Sequence, residues 1–129
     1  MLRKLNDMGT LVISIKENGK HKYTYNNRKG NTIFTSNSQV SKFACISEIT
    51  VLKKNFSSLN YIKYKTPAGK LYFKVVVNDF VIGTSRKFTT PLLMEKGMSD
   101  FKKNFLNSEI LDFTDNIFED FPPIFETTE

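Results

Sequence analysis

Lys53-Lys54-Asn55-Phe56 returns as Lys102-Lys103-Asn104-Phe105, and Ile33 with Thr35-Ser36 returns as Ile82 with Thr84-Ser85, every pair displaced by 49 positions. Upstream, Gly19-Lys20 matches Gly69-Lys70 at a displacement of 50, so one loop differs by a single residue. A period of this length is that of a supersecondary unit, and the chain reads as one unit written twice.

Within each copy, apolar and polar residues alternate with the period of a half-buried strand. The runs cover about 10–16, 20–26 and 32–36 in the first copy and 61–65, 70–77 and 80–85 in the second. Asn18-Gly19, Lys29-Gly30, Pro67-Ala68-Gly69 and Asn78-Asp79 separate them, residues that suit hairpin turns. The period then lengthens: Cys45, Ile49, Leu52 and Phe56 align with Met94, Met98, Phe101 and Phe105, one apolar stripe per helix. Ser41 and Thr90 stand as N-caps, with Pro91 at the first helical position, where its missing N–H costs nothing. The expected fold is α+β: two tandem βββα repeats forming one antiparallel sheet, both helices on one face, related by a pseudo-twofold axis. A short extra strand is expected near 109–114. The expected boundaries are a leader over 1–8, repeat one over 9–58, repeat two over 59–114 in the same domain, and an acidic tail over 115–129.

The repeated residues resemble the YegP-like family, small tandem-repeat proteins of unknown function. The family's repeat is matched by Gly30, Ile33, Ser36, Ile49, Leu52 and Asn55 in the first copy. In the second it is matched by Asn78, Ile82, Ser85, Gly97, Met98, Phe101 and Asn104. The resemblance spans about 9–105 and departs from the pattern in the first copy, where Gln39 replaces the aromatic found as Phe88 and Glu48 replaces the helix glycine found as Gly97. It implies the tandem βββα fold, with single-repeat relatives pairing as dimers, and implies no activity or catalytic residues.

Composition narrows the chemistry. In 129 residues there are one cysteine and one histidine, which exclude a disulfide framework and argue against a Cys/His metal site. His21 alternates with Tyr23 and Tyr25 and reads as a packing residue; Cys45 lies in the helix stripe and reads as a core thiol. Neither Thr35-Ser36 nor Thr84-Ser85 follows a glycine-rich phosphate loop, so their hydroxyls are assigned to backbone groups at strand ends. Asn55 and Asn104 are assigned to helix C-termini. No catalytic group, cofactor or metal is expected, and the chain is read as no enzyme. Apolar runs as short as Leu11-Val12-Ile13 offer no membrane span, and a cytoplasmic monomer, an internal pseudo-dimer, is expected.

Charge supplies the remaining signal. All 19 basic residues precede residue 104, whereas 104–129 carry seven acids, Glu109, Asp112, Asp115, Glu119, Asp120, Glu126 and Glu129. If Ile13, Ile15, Tyr23, Tyr25, Ile62, Tyr64, Leu71, Phe73, Val75 and Val77 point at the helices, alternation turns Lys16, Lys22, Tyr61, Lys63, Lys65, Tyr72 and Lys74 to the other side. Such a face suits an interaction module of unknown protein partner. The alternative is sequence-nonspecific binding of single-stranded nucleic acid, with lysines on phosphates and rings on bases. A third use is as a dock for the chain's own acidic tail. The structural alternative is a lysine-rich face that only keeps the sheet soluble.

Overall fold

A computed structural model describes residues 8–114. Three strands, β1 (Thr10–Ile15), β2 (His21–Asn26) and β3 (Thr32–Ser36), precede helix α1 (Lys42–Lys54). After a single 3-10 turn at Phe56–Ser58 come β4 (Asn60–Lys65), β5 (Leu71–Val77), β6 (Phe80–Ser85), helix α2 (Pro91–Asn104) and a short β7 (Glu109–Asp112). The fold is α+β, one open seven-stranded sheet in the order β4-β5-β6-β3-β2-β1-β7.

The expected short last strand is present as β7, but it runs parallel to β1, so the sheet is mixed and not wholly antiparallel. The reason is topological. β7 runs opposite to β6, the strand before α2, and α2 delivers it to the far edge beside β1, which also runs opposite to β6, so the two edge neighbours are parallel. The tail over 115–129 and most of the leader, 1–7, lie outside the described residues.

The helix starts follow from their caps. Ser41 Oγ accepts from Ala44 N at 3.1 Å and Thr90 Oγ1 accepts from Leu93 N at 3.2 Å, each satisfying one of the open N–H groups of a first turn. Asn55 closes α1 by donating from Nδ2 to the Val51 carbonyl at 2.9 Å. Asn104 does not cap a carbonyl with its side chain; its Nδ2 donates to Asp100 Oδ1 at 3.2 Å.

Strand pairing explains the repeated isoleucine. Tyr25 pairs Phe34 while Asn26 pairs Thr32, which leaves Ile33 as an extra residue; Val75 pairs Gly83 while Val76 pairs Val81, which leaves Ile82. A bulge breaks the alternation locally, so Ile33 and Phe34 both enter the core, and Ile82 enters beside Gly83. The repeated serines act three residues on, where each ladder ends after Thr24–Thr35 and Lys74–Thr84. Ser36 Oγ accepts from Tyr23 N at 3.0 Å and donates to Asn37 O at 2.9 Å; Ser85 Oγ accepts from Phe73 N at 2.9 Å and donates to Arg86 O at 2.7 Å. Each hydroxyl thus supplies a partner to a buried backbone N–H just past the end of the strand pairing.

Both helices cover one face. Cys45, Ile49 and Leu52 of α1 and Met94, Met98 and Phe101 of α2 share one core with Leu11, Ile13, Tyr23, Tyr25, Phe34, Phe73 and Val75 of the sheet. Its centre is aromatic: Phe101 lies 5.1 Å from Phe34 and 4.9 Å from Phe105, and meets Tyr25 edge-on at 5.4 Å.

Candidate interaction face

Directly opposed residues in neighbouring strands share a face, so the pairing register sorts every strand residue. On the face away from the helices one row crosses the whole sheet: Leu111, Val12, Thr24, Thr35, Thr84, Lys74 and Ile62. Three threonines occupy its centre. Beside the row, Ser14 pairs Lys22 at one end of the face and Tyr64 pairs Tyr72 at the other.

Of the seven residues expected on this face, Lys22, Tyr72 and Lys74 are on it. Lys16 follows β1 and donates from Nζ to Ser38 Oγ at 2.6 Å. Tyr61, Lys63 and Lys65 are not. They pair Val75, Phe73 and Leu71, all on the covered face, and so point towards the helices. The Tyr61 ring packs edge-on at 6.2 Å from Phe73 and 6.1 Å from Phe101, with Lys102 Nζ 4.6 Å from its centroid, and Lys63 reaches Glu95 of α2 at 2.5 Å. In exchange Ile62 and Tyr64, expected in the core, are on the open face, 44% and 37% exposed. A one-residue change of phase inverts a whole strand. In Tyr61-Ile62-Lys63-Tyr64-Lys65 both phases contain large side chains, and as an edge strand β4 has only β5 beside it to select between them.

The inverted strand strengthens the open face. Tyr64 and Tyr72 stack with centroids 5.2 Å apart and planes 16° from parallel. Lys74 Nζ lies 5.2 Å from the Tyr64 centroid, and Lys87 Nζ lies 5.6 Å from that of Tyr72. Two ammonium groups thus hold a partly exposed pair of rings, cation against π-face. Alternation turns Tyr64 to the core and does not reach Lys87; the pairing of β4 with β5 places Tyr64, and Lys87 reaches the face from the segment after β6.

The covered face contains the groups closest to a reactive cluster. Tyr23 Oη donates to Glu48 Oε2, Gln39 Nε2 donates to Glu48 Oε1 at 3.3 Å, and Tyr25 Oη donates to Asp100 Oδ1. Burial, reinforced by the neighbouring carboxylates, holds both phenols well above the usual tyrosine range. Burial also pushes the Cys45 thiol up to about 11, the reverse of what an activated nucleophile requires. His21 is partly buried on this face, opposite Ile15, and its Nδ1 is enclosed without a hydrogen-bond partner. The Tyr23–Glu48 and Tyr25–Asp100 bonds tie strands to helices. Among the described residues no set of three or more His, Cys, Asp or Glu converges as metal ligands, and no helix is long and apolar enough to cross a membrane.

Two solved structures share this fold. The solution NMR structure of YegP, a protein of unknown function from E. coli, superposes with a TM-score of 0.72 at 23% identity, covering 84% of this chain and 96% of that one. A UPF0339 protein from Shewanella oneidensis, also solved by solution NMR, gives 0.73 at 24% identity, covering 82% of this chain and 92% of its own. The resemblance read from the repeated residues is thus matched by the YegP-like fold. No family model and no curated protein matches the chain.

Proposed function

We propose that this chain is a non-enzymatic, cytoplasmic interaction module in which two tandem βββα halves, related by a pseudo-twofold axis, present the open sheet face to an anionic macromolecule. The observation that carries this reading is the stacked Tyr64–Tyr72 pair with Lys74 and Lys87 against its rings, on a face that neither helix covers. A polyanion approaching such a face exchanges counterions for ammonium groups, and an exposed ring adds contact that a plain lysine surface lacks.

The ring pair favours single-stranded nucleic acid as the polyanion, because a base can stack where an acidic side chain cannot. Titrating a labelled single-stranded oligonucleotide and polyglutamate against the full chain at several salt concentrations tests both levels. Salt-dependent binding of either supports the docking face, and loss of oligonucleotide binding alone in Tyr64→Ala and Tyr72→Ala supports the stacking role. No salt-dependent binding to either polymer rejects the reading.

A further inference from the structure

A second basic region lies on the opposite side of the molecule, where the turn between β2 and β3 meets α2. Two adjoining concavities of about 360 and 400 Å³ share Arg28, Lys96 and Asp100 in their walls. The first has an apolar floor of Ile33, Phe88 and Leu93; the second adds Ser99, Lys103 and Asn104. These volumes fall in the range of small-molecule sites, roughly 300–1,000 Å³.

The cations there are placed by local structure. Asn27 Oδ1 accepts from Lys29 N and Asn31 N, each at 3.0 Å, and Asn27 O accepts from Gly30 N at 2.8 Å, so the turn carrying Arg28 is held by its own hydrogen bonds. Lys96, Ser99 and Lys103 recur at helical spacing on one side of α2. Among the described residues Arg28, Lys96 and Lys103 form no ion pair, although Lys63 and Lys42 have theirs with Glu95 and Asp112. The one carboxylate in these walls, Asp100, is engaged through Oδ1 by Tyr25 Oη and Asn104 Nδ2. At the corresponding place in the first half, 49 positions earlier, Ser47, Glu48 and Val51 replace Lys96, Gly97 and Asp100, and the concavity there is lined by Ala44, Ser47, Glu48, Val51, Leu52, Val77 and Ile82 with no cation.

We propose that the cleft between the Arg28 turn and α2 binds a small organic phosphate, a phosphate monoester whose apolar body rests on Ile33, Phe88 and Leu93 while Arg28 and Lys96 hold its oxygens. A guanidinium offers a planar fork to phosphate and an ammonium adds a point charge beside it, while the apolar floor selects an ester over the free ion. This site is separate from the open sheet face and does not depend on what docks there.

The test is a titration of the isotope-labelled full chain with phenyl phosphate, followed by amide NMR, with inorganic phosphate and phenol as separate arms. The expected result is saturable shifts at millimolar phenyl phosphate centred on Arg28, Lys96, Gly97 and Lys103, with either fragment alone at least about tenfold weaker. Arg28→Gln with Lys96→Gln should weaken binding by a further factor of about ten, and an unchanged amide spectrum elsewhere confirms the variant's fold. Absence of saturation, equal binding of inorganic phosphate, or shifts spread evenly over Lys22 and Lys74 overturns the proposal.

Discussion

Phe88 lies across Gly97 so closely that a Cβ built on the glycine would meet the ring's Cζ at 2.7 Å. Displaced by 49 positions in the chain, Gln39 and Glu48 meet by a hydrogen bond in place of a ring on a bare backbone. The backbone around the two pairs is alike: Gln39 exchanges N–H···O bonds with His21 at 2.7 and 2.8 Å, and Phe88 does so with Leu71 at 2.6 and 2.8 Å. The two differences, Gln39 against Phe88 and Glu48 against Gly97, are therefore one exchange, because a side chain at the glycine position requires the ring to go.

Gly97→Ala tests that coupling. On helix propensity alone the change should stabilise by up to about 1 kcal/mol, but overpacking against a buried ring costs about 1–3 kcal/mol. The expected net loss of about 1 kcal/mol should appear in thermal melts as a Tm lower by roughly 4 °C. Phe88→Leu combined with Gly97→Ala should lose less than the sum of the single changes. A stabilised Gly97→Ala would show that the ring moves aside freely.

The inverted phase of β4 separates two neighbours. Tyr61 packs on Phe73 and Phe101, whereas Ile62 is 44% exposed on the open face. Tyr61→Ala should cost about 2–3 kcal/mol in denaturant unfolding, and Ile62→Ala no more than about 0.5 kcal/mol. The opposite order would restore the phase expected from alternation.

What was legible and what was not follows from the range of the interactions. The repeated Ile33 and Ile82, Ser36 and Ser85, and the caps Ser41 and Thr90 act within one turn or one neighbouring strand, so their repetition in the chain is legible, although the bulges at the isoleucines are not. The phase of β4 depends on which of its two faces packs on the distant helix α2, where Tyr61 meets Phe101, and the direction of β7 on β1, partners far along the chain. No local pattern carries that information. Alternation therefore puts Tyr61 and Tyr72 on the open face, where the structure has Tyr64 and Tyr72.

Alkaline stability should expose the buried phenols. Burial and then the Glu48 and Asp100 carboxylates raise Tyr23 and Tyr25 far above their ordinary value of 10.0, burial raises Tyr61 to about 12, and burial followed by the Glu48 charge raises Cys45 to about 11. For each group the unfolded chain releases its proton first. The stabilisation is thus complete below the unfolded values, 9.0 for the thiol and 10.0 for the phenols, and declines as pH rises through the folded ones. Urea midpoints should hold steady up to about pH 9 and fall progressively above it. Tyr23→Phe should reduce the steepness of that fall, while at neutral pH it leaves Glu48 short of a donor and costs about 1–3 kcal/mol. An unaltered slope in Tyr23→Phe would contradict the assignment.

The lysines sort by face, and the sorting predicts which of them a polyanion feels. Lys22 and Lys74 are on the open face, while Lys63 points to the helices and is already paired with Glu95. A lysine that touches a phosphate contributes about one unit to the slope of log affinity against log salt, and its loss removes that unit. Lys74→Gln should therefore lower the salt slope for a single-stranded oligonucleotide by about one unit. It also releases the Tyr64 ring from its cation, so its loss of affinity should exceed that of Lys22→Gln. Lys63→Gln should leave the slope unchanged, since its charge is balanced by Glu95 on the far side of the sheet. Equal effects from Lys63→Gln and Lys74→Gln would mean that the oligonucleotide responds to overall charge alone, and the face would lose its claim to be the docking surface.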